Sequence, residues 1–221
     1  MEPVTHFLTG ACLARAGFNR KAAYATLAMT LAAEMPDLDT LWSFGGPVAG
    51  FEHHRGITHT LIGLPFDGLA VVSAIWLLHR TRLRRAQHRP PAQPAVTTTD
   101  RPIVRPLTAA PVRWPLLYVF VLVALLSHIL LDWTNNYGVR PFFPFNPRWY
   151  AGSFVFIFEP VMFLLLLIGL VAPPLFGLIA GEIGANRPAF RGRGWALFAL
   201  TSVAALWGFR LIERDAAIQL A

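Results

Sequence analysis

Six apolar segments, at about residues 4–18, 22–36, 57–79, 114–133, 154–172 and 194–212, constrain this chain more than any other feature. The later four approach the roughly 20 residues that a helix, rising 1.5 Å per residue, needs to cross a bilayer. The first two fall short of that length and suit a helical hairpin, with Gly17, Asn19, Arg20 and Lys21 making the turn between them. Leu, Ala, Val, Ile and Phe fill the segments with no sustained two-residue alternation, so helices are expected in preference to a barrel. Composition agrees, since 55% of the chain is hydrophobic against about 45–50% in a soluble domain. The expected fold is all-α: a polytopic helical membrane bundle with about four long spans plus the short N-terminal hairpin, forming a single domain over residues 1–221. The start, Met1-Glu2-Pro3, lacks the basic region of a signal peptide, and none is expected.

Basic residues orient the bundle. Of nineteen Lys and Arg, set against twelve acids, all but Lys21 are Arg. Most lie in short tracts beside apolar segments, a pattern suited to an anionic leaflet and not to a nucleic-acid-binding face. Residues 80–113, rich in Arg, Pro, Thr and Ala, cannot bury enough apolar surface to fold and are expected to form a disordered basic loop. Cationic loops stay cytoplasmic, which places this loop inside together with Arg20, Lys21, Arg187, Arg191 and Arg193. Six alternating segments satisfy all of these placements, with both termini outside.

The remaining polar residues then fall in one outer layer. His6 opens the first segment, and Asp37 and Asp39 close the second. His53, His54 and His59 lie at the entry to the third, His128 and Asp132 end the fourth, and Glu159 begins the fifth. Ionisable groups at membrane depth are costly and normally face the interior, paired or with ions. The convergence therefore points to an ion site. His128 and Asp132, four residues apart, share a helical face, where both can ligate a metal or the Asp can orient the His. Asp37 and Asp39 follow a Pro and equally suit a plain turn. An unpaired carboxylate at Glu159, in a run of phenylalanines, would be expensive. Asp67 is a further candidate, and Asn135, Asn136 and Tyr137 can donate hydrogen bonds at the rim. His79 and His88 read as solvated loop residues. The single Cys12 excludes an intramolecular disulfide and a cysteine-rich zinc site, leaving His and carboxylate as ligands.

Several motifs carry a resemblance: Thr5-His6 with Gly10 soon after, Pro36-Asp37-x-Asp39, His54-Arg55-Gly56-x-Thr58-His59, His128-x-x-x-Asp132, and Asn136-Tyr137-Gly138 before a Pro-Phe stretch. Over about residues 5–160 the chain resembles the YdjM-type inner-membrane family (DUF457), grouped as metal-dependent hydrolases with the all-helical zinc-dependent phospholipase C and nuclease superfamily. Two positions depart from the pattern. Glu159 stands where relatives tend to have Asp, and Thr60 where they have Ser. The resemblance implies that His6, Asp37 or Asp39, His54, His59, His128 and Asp132 are metal ligands or their immediate supports.

The expected chemistry is hydrolysis by metal-activated water, with zinc the first choice of divalent ion and manganese the second. Asp39 or Glu159 would accept the proton. Arg55 would either clamp a substrate phosphate or neutralise the neighbouring acids. A phospholipid or other lipid-linked phosphoester, met at the outer face of the cytoplasmic membrane, is the expected substrate, with no nucleic-acid partner. The alternatives are an ion or proton transporter and a non-catalytic protein whose metal staples its helices. Oligomeric state and the specific substrate are not encoded in these features.

Overall fold

The structure is a computed structural model describing residues 1–87, 110–182 and 192–220. Seven α-helices follow one another among the described residues: α1 Pro3–Arg15, α2 Ala25–Glu34, α3 Pro47–His53, α4 Leu64–Gln87, α5 Trp114–Thr134, α6 Pro160–Glu182 and α7 Arg193–Leu220. Short 3-10 segments, Phe18–Arg20, Pro36–Gly45 and Ile57–His59, join the early ones. The only pairing of extended backbone among the described residues is the isolated antiparallel bridge between Val139 and Tyr150.

Small residues set the close contacts. At Gly10 a Cβ would stand 2.7 Å from the Ala33 Cβ and 2.7 Å from the Met29 carbonyl oxygen, so α1 and α2 meet almost backbone to backbone. Gly169 does the same for α6 against α7, where a Cβ would lie 2.6 Å from that of Ala199. Close approach at small residues is a usual way for apolar helices to associate when lipid surrounds them. One core gathers Ala28, Met29, Ile75, Leu117, Val121 and Leu125 between α2, α4 and α5. A second gathers Cys12, Leu131, Met162, Leu166, Ala199 and Val203 around α1, α6 and α7.

Two helices, α5 and α7, are long and apolar enough to cross a membrane. A third crossing is available if Pro47–His59 and Leu64–Arg85, bent by 87°, count as one broken span. The described apolar part of α6, Pro160–Phe176, is shorter, so among the described residues two or three helices have the length and composition of a span, beside the four or so expected. Only 17% of the apolar window of α7 is buried within the protein. An apolar helix so exposed needs lipid against its outer face.

The two ends of the bundle differ in character. At one end Arg193 donates from Nε to the Ala16 carbonyl oxygen, 2.9 Å, and the Tyr24 hydroxyl lies 3.2 Å from Nδ1 of His79. The α1–α2 connection, the C-terminal half of α4 and the start of α7 are thus gathered with the arginines. Here the basic tract departs from the expected loop: Arg80, Arg82, Arg84 and Arg85 continue α4 as helix, and His79 is half-buried on that helix instead of solvated in a loop. His88 and residues 88–109 of the expected loop, like Arg187 and Arg191, lie outside the described residues. The opposite end receives the start of α1, the end of α2, the start of α4 and the end of α5, and there the polar residues collect.

Candidate metal centre

Each side chain arrives for a local reason. His128 and Asp132 share the inner face of the last turns of α5, and both are fully buried. Asp37 and Asp39 project from the 3-10 segment that begins at Pro36, where the ring stops α2 from continuing. His54, Arg55 and His59 come from the connection between α3 and α4, in which Arg55 takes a left-handed backbone (φ 56°).

Four of these residues close on one point. Nε2 of His128 lies 3.1 Å from Nε2 of His59. His59 Nε2 is 3.4 Å from Oδ1 of Asp37 and 3.5 Å from Oδ2 of Asp132. The matching distances from His128 Nε2 are 3.6 and 3.7 Å. A tetrahedral ion with bonds of about 2.0–2.1 Å has ligand–ligand edges of about 3.4 Å, so the spacing is that of a first coordination sphere.

Proton placement sharpens this fit. The Ala33 carbonyl oxygen, 2.7 Å from His128 Nδ1, can only accept, which assigns the proton to Nδ1 and leaves Nε2 bare. The Asp39 carboxylate, 3.2 Å from His59 Nδ1, makes the same assignment for a neutral His59. Two imidazole lone pairs and two carboxylate oxygens therefore face one another. Only a cation, or a proton held by His59, relieves that arrangement. The residues fit a divalent metal.

Around this group stands a supporting layer. Asp39 uses Oδ1 for His54 Nδ1, 2.9 Å, and Oδ2 for the Arg55 amide, 2.9 Å, and the Thr58 hydroxyl, 3.0 Å. Burial alone would raise the Asp39 carboxyl, but hydrogen bonds from His54 and His59 outweigh it and hold the group well below the ordinary carboxylate range. Arg55 is buried and committed: Nη2 is 3.1 Å from Oδ1 of Asp132, and Nη1 donates to Asn135 Oδ1 and the Gly138 carbonyl. The Met1 amino group also meets Asp132 Oδ1. His6 stacks on His128, centroids 3.8 Å apart, with neither ring nitrogen hydrogen-bonded among the described residues.

A second set, Asp37, Asp39 and His54, also has ligand atoms within 4.8 Å of one another and shares Asp37 with the first. Of the expected site residues, then, Asp37, His59, His128 and Asp132 come together as potential ligands, while His6, Asp39, His54 and Arg55 surround them. Glu159 does not join them. It is buried at the start of α6 and paired with Arg210 of α7 at 3.2 Å, so the cost of its burial is met by an arginine and not by an ion. Asn135 is not a rim residue either: it is fully buried, and its Oδ1 accepts from the Tyr137 and Gly138 amides.

Sequence reasoning missed the Ala33 carbonyl, because backbone groups carry no residue-type signal. Thr58, inside the His-rich motif, braces Asp39 through its hydroxyl.

A family model described as YdjM inner membrane protein matches residues 1–217. The chain belongs to that family. As a YdjM-family protein with apolar helices of spanning length, it is a multi-pass inner-membrane protein carrying a His/Asp cluster able to coordinate a divalent metal. It is 23% identical over 172 residues to the uncharacterized protein YfhP of Bacillus subtilis (strain 168), an alignment covering 74% of this chain and 43% of that relative. The YdjM-family chain thus spans less than half the length of that relative. No solved structure matches it.

Proposed function

We propose that the protein is a membrane-embedded, metal-dependent hydrolase of phosphoesters, working at the extracytoplasmic face of the inner membrane. The observation that carries this reading is the convergence of four candidate ligand atoms, Asp37 Oδ1, His59 Nε2, His128 Nε2 and Asp132 Oδ2, all within 4.8 Å of one another. Those four would hold the ion, with zinc suited to the nitrogen and oxygen donors and manganese an acceptable substitute. A divalent ion bound there supplies Lewis-acid polarisation and brings the pKa of its water to about 7.

The chain's own residues divide the remaining work. Asp39 is a positioning residue that fixes the His59 tautomer and tethers the Arg55 backbone, so it has no free oxygen to serve as base. Arg55 neutralises Asp132 instead of reaching outward for substrate. Glu159 is a structural partner of Arg210. Asp37 is the least buried of the four ligands, with 13% of its side chain accessible, and His54 beside it is more open at 38%. Substrate therefore approaches over Asp37 and His54. The arginine-rich opposite end supports the outward orientation, because cationic ends stay cytoplasmic.

A second reading is favoured by one feature: four protein donors can fill a tetrahedron completely, as in structural zinc sites. In that case the metal only staples α2, α4 and α5. The test is to load detergent-purified protein with zinc or manganese and assay bis-p-nitrophenyl phosphate and phospholipids. Turnover that disappears with chelator and returns with metal supports the hydrolase. Metal that raises the melting temperature while no phosphoester is cleaved supports the staple.

A further inference from the structure

We infer that the slot between the 3-10 segment Pro36–Gly45 and α3 holds an acyl chain of a bilayer lipid, whose phosphoester then lies over Asp37 and His54. The headgroup position rests on the hydrolase reading above; the chain position rests on the slot itself.

The slot is a cavity of about 380 Å³ lined by Thr40, Ser43, Pro47, Gly50, Phe51 and His54, within the usual range of small-ligand sites of about 300–1,000 Å³. Its lining is apolar apart from two hydroxyls and one imidazole. That imidazole sits at the metal centre, its Nδ1 2.9 Å from Asp39 and its ring edge-on to His59. The slot thus has one polar end, and the polar end is the candidate catalytic one. A glycine sets its depth: a Cβ at Gly50 would meet the Ser43 Oγ at 2.5 Å, so the two walls stay narrow only without a side chain there.

The other end opens onto large apolar side chains left exposed among the described residues. Leu41 and Trp42 are each 56% exposed, Val48 79%, Phe51 86% and Phe44 91%. Contiguous patches of this kind mark an interaction surface. The 87° bend between the Pro47–His59 and Leu64–Arg85 segments turns α3 across the direction of α4. If α4 crosses the bilayer, α3 lies along its surface with those aromatics in the acyl boundary. Exposed apolar side chains of this size on an inner-membrane protein suit a lipid as occupant. A soluble phosphoester would gain nothing from the Pro47 and Phe51 walls, and a peptide strand would find no free backbone edge on two helical segments. A molecule with an apolar tail and a phosphoester head matches both ends.

Photolabelling tests this with the full chain in nanodiscs of phosphatidylethanolamine and phosphatidylglycerol, doped with a phosphatidylglycerol that carries a diazirine at mid-chain. Label is expected on Ser43, Gly50 and Phe51 inside the slot as well as on exposed Phe44, which does not line it. Ser43→Trp, whose indole fills the slot, is expected to lower labelling at Gly50 about tenfold relative to Phe44, the cost of roughly two unburied methylenes. Phe51→Ser removes one wall without touching the packing and is expected to give a smaller fall in the same ratio. Metal content of both variants reports that the centre is intact. Slot labelling unchanged in both variants, or label on Phe44 alone in the native chain, would overturn the inference. Slot labelling in a native protein that binds no metal would uphold the acyl site while removing the hydrolase reading.

Discussion

His128 donates its Nδ1 proton to the carbonyl oxygen of Ala33, 2.7 Å away, and so ties the metal-facing helix α5 to α2. Ala33 is in turn the residue against which Gly10 of α1 packs, with no room for a Cβ. The packing of two short helices therefore sets the orientation of an imidazole on a third. Gly10→Val should push α2 from α1, shift the Ala33 carbonyl and weaken metal retention together with stability, by about 1–3 kcal/mol for the overpacking. Thermal unfolding with and without chelator checks it; a variant of unchanged melting temperature and metal content would show that this contact sets nothing.

Asp39→Asn is expected to lower metal affinity about 10–100-fold, the usual effect of losing a group that orients a ligand histidine, and not to abolish binding. The carboxylate touches His54, Arg55, Thr58 and His59, so the amide must present a donor where an acceptor is needed. Titration with zinc against a competing chelator measures the shift. Loss as complete as in His59→Ala would make Asp39 a ligand in its own right.

Glu34, the last residue of α2, gives a pH dependence. Burial first, and the charge of Asp37 second, push its carboxyl up to about 7 from an ordinary 4.5. The folded state thus holds a proton that the unfolded chain releases. Stability from this group is full below pH 4.5, declines as pH rises toward about 7, and stays reduced above that. The melting temperature of the native protein relative to Glu34→Gln should fall as pH rises across that window. An identical slope in the variant would assign the dependence to other groups.

Glu159 and Arg210 test the division between site and scaffold. Glu159→Gln should leave metal content unchanged. Arg210→Ala strands a buried carboxylate, and with Arg210 one-third exposed the expected loss is about 1–3 kcal/mol. Denaturant unfolding and metal analysis of both variants check this. Metal lost from Glu159→Gln would return that residue to the ion site.

Much of the candidate site was legible because ionisable residues in apolar segments are few. With arginines fixing the alternation, His6, Asp37, His59, His128 and Asp132 could be assigned to one end before any geometry was known. Residue types could not reveal which carboxylate faces an ion and which faces an arginine. Glu159 and Asp132 look alike in sequence and each meets an arginine; they differ because Arg210 of α7 is the partner of the first, whereas the second oxygen of Asp132 also faces the imidazoles of His59, from the segment before α4, and His128 of α5. Apolar length was a looser guide to the fold. The fifth segment starts as helix only at Pro160, because Gly152 to Phe154 are bonded instead to the carbonyls of Trp133, Thr134 and Asn135. The third breaks at Ile57–His59, because its histidines serve the cluster and not the helix. Likewise α4 runs to Gln87, well into a tract whose arginines suggested a loop, since Arg is a good helix former.

The most direct test is metal content per chain, by elemental mass spectrometry, of detergent-purified native protein beside His59→Ala and Asp132→Ala. Bound divalent metal in the native protein, lost from both variants while each remains folded, is the predicted result. Native protein that purifies folded and metal-free and binds no added zinc or manganese would contradict the account at its centre.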